Sequence, residues 1–457
     1  MKKMVLLFLL FGLLWAGSPF FVSCSSQNAG NEAWADSVKT EFLHAWQGYK
    51  TYAWGQDQLL PLSKKGKNWY AHSLLMTPVD AFDTMYLMGL KEELPAVKQL
   101  IFQNLSFDLD MSVKVFEVNI RLLGGLLSAY QLDGDRRFLQ LAQDLGQRLL
   151  PAFQSTSGMP YQFVNLKSGA VSGHISNPAE IGTYIVEFGM LTRLTGDSVF
   201  YKTAKRALKA LFARRSAIGL VGSSINVNTG AWVDRTAHIG GMIDSYYEYL
   251  LKGFVLFADP ELGDMWRKSV NAINTYLADE VQDNLWYGRA DMNSGKLRNP
   301  WFGALDAFFP AVLALDGQMD RAYALMNSCF KMWQLQGVEP ELLNYRTMKI
   351  LSPGYPLRPE IMESAYYLYY FTRNRRYREM GRMMFLNLKK YCRTSDGYAA
   401  LKDVVSKEKA DQMESFFLAE TMKYLYLLFA DPATINLNKT VFNTEAHPMF
   451  LQKYRVK

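Results

Sequence analysis

The sequence predicts an all-α protein whose 457 residues close into a toroid of seven helical hairpins. Two features carry this reading. Apolar runs with helical period recur along the chain, each ended by a short turn and followed by an amphipathic helical pattern. The first run of each pair is apolar on both flanks and holds only a thin stripe of polar or small residues. In residues 115–128 that stripe is Glu117, Arg121, Gly124 and Ser128, which suits an inner helix facing a wet lumen. The second runs, such as 136–150 and 201–215, are ordinary amphipathic helices that would form an outer ring. A content of 49% hydrophobic, 14% aromatic and 20% charged residues excludes a disordered polymer, a collagen and a disulfide-stapled miniprotein.

From the N-terminus, residues 1–23 read as an export signal, with Lys2 and Lys3 ahead of an apolar run over 4–15. That run is shorter than the roughly 20 residues a membrane-spanning helix needs. It leads to Phe21-Val22-Ser23-Cys24, which resembles a bacterial lipoprotein cleavage box with Phe where Leu is commoner. Cys24 is therefore the expected lipidation site, and the mature protein is expected outside the cytoplasm on a membrane surface. The plain alternative is a secretory signal with a chance cysteine. Residues 24–36 read as a polar tether and 37–457 as one barrel domain, expected to be a monomer. Within it the hairpin turns fall at Gly89-Leu90-Lys91, Asp133-Gly134-Asp135, Thr195-Gly196-Asp197, Asp259-Pro260, Asp316-Gly317, Thr372-Arg373-Asn374 and Asp431-Pro432. From the second onward they recur at roughly 60 residues, room for two helices and their connections. Gly, Asn and Asp supply the breaks because they tolerate left-handed backbone or compete with the helix for hydrogen bonds.

The formal charge of +7 becomes +5 without Lys2 and Lys3, and acids and bases are interspersed. No basic block fit for a phosphate backbone is present, so nucleic acid is not an expected partner. Apart from Cys24 there are Cys329 and Cys392, enough for one bridge whose geometry sequence cannot place. There is no Cys-x-x-Cys and no His-Glu-x-x-His, and the five histidines are scattered, which argues against zinc. No Gly-x-Ser-x-Gly or phosphate-cradling glycine loop occurs.

Acids recur some 9 to 17 residues before the turns: Asp80, Glu117, Glu180, Asp244, Asp306, Glu360 with Glu363, and Glu420. If the inner helices run parallel, these acids converge on one end of the lumen. Paired carboxyls are what glycoside hydrolysis needs, one to protonate the leaving oxygen and one to activate water. Crowding pushes their pKa values apart, and surplus acids could hold a hard cation and its waters. Any one of them has a plainer reading, as a helix-dipole partner or, for Glu117 and Arg121, an i,i+4 surface pair. Seven repeats of the pattern on the otherwise apolar helices favour the site.

With those residues in view, the chain resembles glycoside hydrolase family 47, the class I α-1,2-mannosidases. The resemblance runs from about Trp54 to His447. It rests on Ala53-Trp54-Gly55-Gln56-Asp57-Gln58-Leu59, Val79-Asp80-Ala81-Phe82-Asp83-Thr84 and Phe116-Glu117-Val118-Asn119-Ile120-Arg121. It continues through Asp244-Ser245-Tyr246-Tyr247-Glu248, Leu357-Arg358-Pro359-Glu360, Met413-Glu414-Ser415-Phe416-Phe417-Leu418-Ala419-Glu420 and Asn443-Thr444-Glu445-Ala446-His447. The resemblance implies an (α/α)7 barrel plugged by a C-terminal β-hairpin. It also implies an inverting exo-hydrolase that removes terminal α-1,2-linked mannose from mannose-rich glycans with a bound Ca²⁺. Carried over by position, Glu117 is the general acid, steered by Arg121. Glu360 is the base, with Asp244 competing for that role, and Arg358 holds Glu360 or a sugar hydroxyl. Thr444 is the protein's calcium ligand, Glu341, Glu363, Glu420 and Glu445 orient the metal's waters, and Phe416 lies under the sugar ring.

There are departures. Secretory-pathway trimming mannosidases carry a His and a Cys in the block that here reads Pro300-Trp301-Phe302-Gly303-Ala304-Leu305-Asp306-Ala307-Phe308-Phe309-Pro310, so their disulfide is not expected. That block and Val221-Gly222-Ser223-Ser224-Ile225-Asn226 look closer to the EDEM-type members that mark misfolded glycoproteins, although a bacterial lipoprotein cannot share their endoplasmic-reticulum role. Two rival readings are a non-catalytic glycan-binding lipoprotein on the same toroid and a different toroidal glycosidase or lyase.

Overall fold

The computed structural model describes the backbone of residues 22–451 and the side chains of residues 32–451. The expected export signal, the Cys24 side chain and most of the tether lie outside the residues whose side chains are described. Among the described residues, fourteen helices build two concentric rings, seven inner and seven outer. In chain order they are α1 (Val22–Tyr52), α2 (Met76–Leu87), α3 (Leu94–Asn104), α4 (Gly124–Asp133), α5 (Arg136–Leu149), α6 (Ile185–Thr195) and α7 (Val199–Phe212). The second half holds α8 (Asp244–Phe257), α9 (Pro260–Tyr276), α10 (Phe309–Leu315), α11 (Met319–Gln334), α12 (Glu360–Thr372), α13 (Arg375–Tyr391) and α14 (Met422–Phe429). The even-numbered helices form the inner ring. They are buried along most of their length, whereas the outer helices bury one stripe, as Phe138, Leu139, Ala142, Leu145 and Leu149 do in α5.

The turns from inner to outer helix are tight for local reasons. Gly134 and Gly196, both at φ 84°, close α4 and α6 in left-handed conformation. Asp135, Asp259 and Asn374 then cap α5, α9 and α13 by accepting from the N–H two residues on. The last expected hairpin is assembled differently. Among the described residues no helix comes after Asp431-Pro432; the outer partner of α14 is α1, from the other end of the chain. Trp34 of α1 meets Phe385 of α13 edge-on at 6.3 Å and Phe429 of α14 at 5.9 Å, so closure of the ring joins the two ends of the sequence.

The return connections, from outer to inner helix, are long and carry short antiparallel strands. Examples are the three-stranded sheets Ser112–Lys114, Phe163–Asn165, Val171–Ser172 and Trp301–Gly303, Leu342–Asn344, Lys349–Ser352. The sequence reading contains none of these, because two- to four-residue strands are too short for a period-2 pattern to register. The final hairpin, Thr440–Phe442 paired with Pro448–Phe450, is fully buried and packs against α4 and α8. It is the plug that the family resemblance implies. It also shortens the expected wet lumen: Glu117 and Arg121 of the stripe line a cavity, but Gly124 faces this hairpin rather than water. A Cβ on Gly124 would stand 2.6 Å from Asn443 Nδ2, and one on Gly125 2.8 Å from Val79 Cγ1. Cys329 and Cys392 are both buried and free, so no bridge forms between them.

Gly48 tests the closure. A Cβ there would run into the carbonyl oxygen of Asp396, in the turn of the hairpin formed by Arg393–Thr394 and Gly397–Tyr398. Gly48→Ala gains up to about 1 kcal/mol of helix propensity but must displace backbone, at about 1–3 kcal/mol. The expected outcome is a lower melting temperature, measured by circular dichroism; an unchanged or raised one would show that α1 does not dock as described.

Candidate active site

The N-terminal ends of the inner helices share the end of the barrel that carries the long connections. Asp244 and Glu360 are the first residues of α8 and α12, and Glu363 comes one turn into α12. Glu117 lies in the helical turn Val115–Val118, and Arg121 in a π-helical turn, Asn119–Leu123, that leads into α4. A second π-helical turn, Phe417–Thr421, leads into α14; Phe416 precedes it and Glu420 lies inside it. A π turn inserts a residue and rotates the helix beyond it, a device common at functional sites. Thr444 and Glu445 come from the tip of the buried hairpin.

These residues meet around one cavity of about 300 Å³, lined by Glu117, Arg121, Asp244, Arg358, Glu360, Glu363, Phe416, Glu420, Thr444 and Glu445. Glu341, which the resemblance groups with these residues, does not line the cavity: it holds Arg358 through two hydrogen bonds, from Nε at 2.9 Å and Nη2 at 3.0 Å. Glu180 reaches the cavity edge and pairs with Lys114 at 2.8 Å. Asp80 lies beneath the cavity, and Asp306 is buried outside it, accepting from the Gly303 N–H at 2.8 Å.

Two guanidinium groups organise the cavity. Arg121 donates from Nε to Glu117 at 3.0 Å and from Nη1 to Ser415 at 3.3 Å; Nη1 also pairs with Glu445 and lies 3.5 Å from Asp80. Its guanidinium sits 5.1 Å from the Trp69 ring and 5.7 Å from Phe416, while Arg358 is 5.8 Å from Phe416. Lys252 pairs with Glu248 and lies 3.7 Å from Glu363. The carboxyls still outweigh these cations. Burial pushes Glu360 up to about 8 although Arg358 opposes it. Burial pushes Asp244 and Glu363 to about 7 and Glu445 to about 8. Glu420 is driven well up by burial and by the charges of Glu445, Glu360 and Glu363. A set of oxygens this crowded suits a hard dication, which would relieve the repulsion. Among the described residues no three His, Cys, Asp or Glu side chains form a metal cage, so such an ion would keep most of its waters.

A second charge cluster supports the hairpin tip, and the sequence reading missed most of it. His447 contacts Asp83 at 2.7 Å and Asp80 at 3.3 Å. Lys423 pairs with Asp83 at 2.6 Å and donates to the Ala446 carbonyl at 2.6 Å. Asn443 donates to the Ile120 carbonyl at 2.9 Å and to Glu187 at 2.8 Å. Only the blocks containing Asp80, Asp83 and His447 hinted at this cluster; a lysine inside an apolar run gives no sign of facing an aspartate on another helix. For His447, burial works against the charged form, but the Asp83 charge and the bonds to Asp80 and Asp83 raise it to about 9. A raised histidine contributes stability fully below its ordinary value, about 6.5, and loses it as pH rises through the folded value. The unfolding free energy of the protein should therefore fall between pH 6.5 and 9 more than that of His447→Gln. Parallel urea curves for the two proteins across that window would contradict the pairing.

Comparison with known proteins agrees with this geometry. The profile of Glycosyl hydrolase family 47 matches residues 41–451. Alpha-mannosidase I MNS4 of Arabidopsis thaliana is 40% identical over 435 residues, covering 90% of this chain and 69% of that protein. ER degradation-enhancing alpha-mannosidase-like protein 2 of Mus musculus is 38% identical over 451 residues, covering 91% and 77%. The solved α-1,2-mannosidase from Trichoderma reesei superposes with a TM-score of 0.85 at 27% identity, covering 92% of this chain and 99% of that one. Fold, cavity and sequence agree: the chain belongs to glycosyl hydrolase family 47 and is a glycoside hydrolase.

Proposed function

We propose that the protein is an inverting exo-α-1,2-mannosidase that removes terminal mannose from mannose-rich N-glycans and requires Ca²⁺. The observation that carries the reading is that two carboxyls, each beside its own arginine, enter one cavity from separate segments: Glu117 with Arg121, and Glu360 with Arg358. Glu117 delivers a proton to the leaving glycosidic oxygen, and Arg121 fixes the orientation of its carboxyl. Glu360 takes a proton from the attacking water, with Asp244 the competing base on the neighbouring wall. Inversion requires these carboxyls to stand about 6.5–9.5 Å apart so that water fits between acid and base. Phe416, which lines the cavity 5.7 Å from the Arg121 guanidinium and 5.8 Å from that of Arg358, supplies the aromatic ring that lies under the sugar. The calcium would be held by Thr444, its waters oriented by Glu363, Glu420 and Glu445, and it would supply a hard Lewis-acidic anchor for vicinal hydroxyls. Arg358 is steered by Glu341. The apolar run behind Lys2 and Lys3, with Cys24 in the box that follows, supports a lipid-anchored, exported bacterial enzyme, which we propose acts as a monomer; loss of fatty-acid labelling in Cys24→Ala tests the anchor.

The purified enzyme should release β-mannose from α-1,2 ends of a mannose-rich glycan, followed by NMR, with calcium and not with a chelator. Release of α-mannose would exclude inversion; bound glycan without turnover would favour a lectin. Glu117→Gln should lower kcat by about 10²–10⁴-fold with the fold intact, the range of general acid catalysis. Thr444→Ala should raise the calcium concentration needed for half-maximal activity; an unchanged calcium titration would remove Thr444 from the metal site. If Glu360 is the base, Glu360→Gln loses more kcat than Asp244→Asn.

A further inference from the structure

The charges that read as interspersed along the chain hide one local excess. Residues 373–393 hold eight Lys or Arg and one acid, a net +7 that equals the formal charge of the whole chain. Most of this segment is the outer helix α13. Its inward stripe includes Tyr377, Met384, Phe385 and Leu388, and a Cβ on Gly381 would collide with Leu428 of α14. Packing on that side fixes the helix. On the outward side Met383 and Leu386 are 42% and 48% exposed. Among the described residues they are the only two well-exposed large hydrophobics that share a helix. With Phe330 of α11 they border a groove of about 450 Å³. Exposed cations frame the pair: Arg376 two turns before Met383, Arg382 beside it, and Lys390 one turn after Leu386. Glu379, the one acid of α13, is already paired with Arg382. A lone exposed apolar side chain needs no explanation, but two on one helix face among cations form an interfacial pattern.

This face adjoins the N-terminal helix. Trp34 of α1 meets Phe385 edge-on, and the Arg382 guanidinium lies 5.6 Å from its ring. The backbone of α1 is helical from Val22, which puts Cys24 about 15 Å further down the same helix from Trp34. From there α1 runs toward the connection that enters α2, so Cys24 and the cavity lie at opposite ends of the barrel. None of the residues lining the cavity belongs to α1, α11 or α13.

We propose that the outward face of α13 docks on an anionic phospholipid bilayer, with Met383 and Leu386 entering the headgroup region and Arg376, Arg382 and Lys390 meeting lipid phosphates. The aliphatic pair selects a bilayer over a nucleic acid, whose phosphate backbone gives such side chains nothing to bury against. Docking leaves the cavity uncovered. It requires neither mannoside turnover nor acylation of Cys24, although an acyl chain there would hold the same side of the barrel to the membrane.

The test places an environment-sensitive dye on the full-length Leu386→Cys protein, with the unsubstituted protein carried through the same labelling as background. Cys329 and Cys392 are buried and stay unlabelled. Vesicles of phosphatidylcholine alone are compared with vesicles containing phosphatidylglycerol. Emission should shift to the blue only on the anionic vesicles. The shift should vanish when salt rises from about 0.1 M to about 1 M, which shortens the screening length from about 10 Å to about 3 Å. Arg376→Gln and Lys390→Gln should each lower the ratio of docked to undocked protein about fivefold, the worth of one cation at an anionic surface. An acylated chain sediments with both kinds of vesicle and an unacylated one with the anionic kind alone, so loss of the anchor and loss of docking are read separately. Equal emission on both kinds, or a shift that salt and these substitutions leave in place, overturns the proposal. So does an equal shift on a DNA duplex, or a lipid-free shift that grows with protein concentration and makes the occupant a second copy.

Discussion

The buried guanidinium of Arg121 joins four segments that are far apart in sequence. It binds Glu117 on its own helix, Asp80 on α2, Ser415 ahead of α14 and Glu445 at the tip of the C-terminal hairpin. An unpaired guanidinium in this position would cost several kcal/mol, so each of those carboxylates is needed where it stands. The planar fork of arginine can serve several of them at fixed angles, which the point charge of a lysine cannot. The rest of the site depends on that node. Glu117 is aimed into the cavity, the hairpin tip is held at its floor, and Phe416 is pinned against a cation.

The two ends of the barrel differ because their connections do. At one end, glycines in left-handed conformation and aspartate or asparagine caps turn inner helices such as α4, α6, α8 and α12 into their outer partners within a few residues. At the other, long connections with short strands lead into the N-termini of the inner helices. There the helix dipoles favour negative groups by about 0.3–1 kcal/mol each. That end collects the carboxyls, and hydrolysis of a glycoside needs carboxyls of unequal proton affinity. The plug makes the arrangement possible. It fills the lumen below the cavity, satisfies its buried polar groups through His447, Lys423 and Asn443, and brings Thr444 and Glu445 into the site.

Much of the ring is legible in the sequence. Turn residues and helical period are local properties, so six of the seven hairpins can be located from spacing alone. The recurrence of acids on the apolar helices points eight of them to a shared mouth; Glu117, Asp244, Glu360, Glu363 and Glu420 line the cavity with Glu180 at its edge, while Asp80 lies beneath it and Asp306 outside. The seventh hairpin differs in its order because its outer helix, α1, stands some 370 residues ahead of its inner one, and no local signal reports such a pairing. The short strands escape because they are shorter than the pattern that reveals strands. Glu341 groups with the cavity acids by resemblance, yet its side chain turns to Arg358.

Fold class, hairpin turns and the chemistry on offer are written into the order of residues, since they depend on which residue types recur at which interval. Which charges are paired and which are stranded is a matter of tertiary structure alone. Asp83 is paired with Lys423, Glu248 with Lys252 and Glu117 with Arg121, while both oxygens of Glu339 and one of Glu360 have no hydrogen-bond partner. The physical reason is that the ionisation of a buried carboxyl is set by the dielectric and the charges within a few ångströms of it. Those neighbours come from other helices, at separations in the chain that no periodicity encodes.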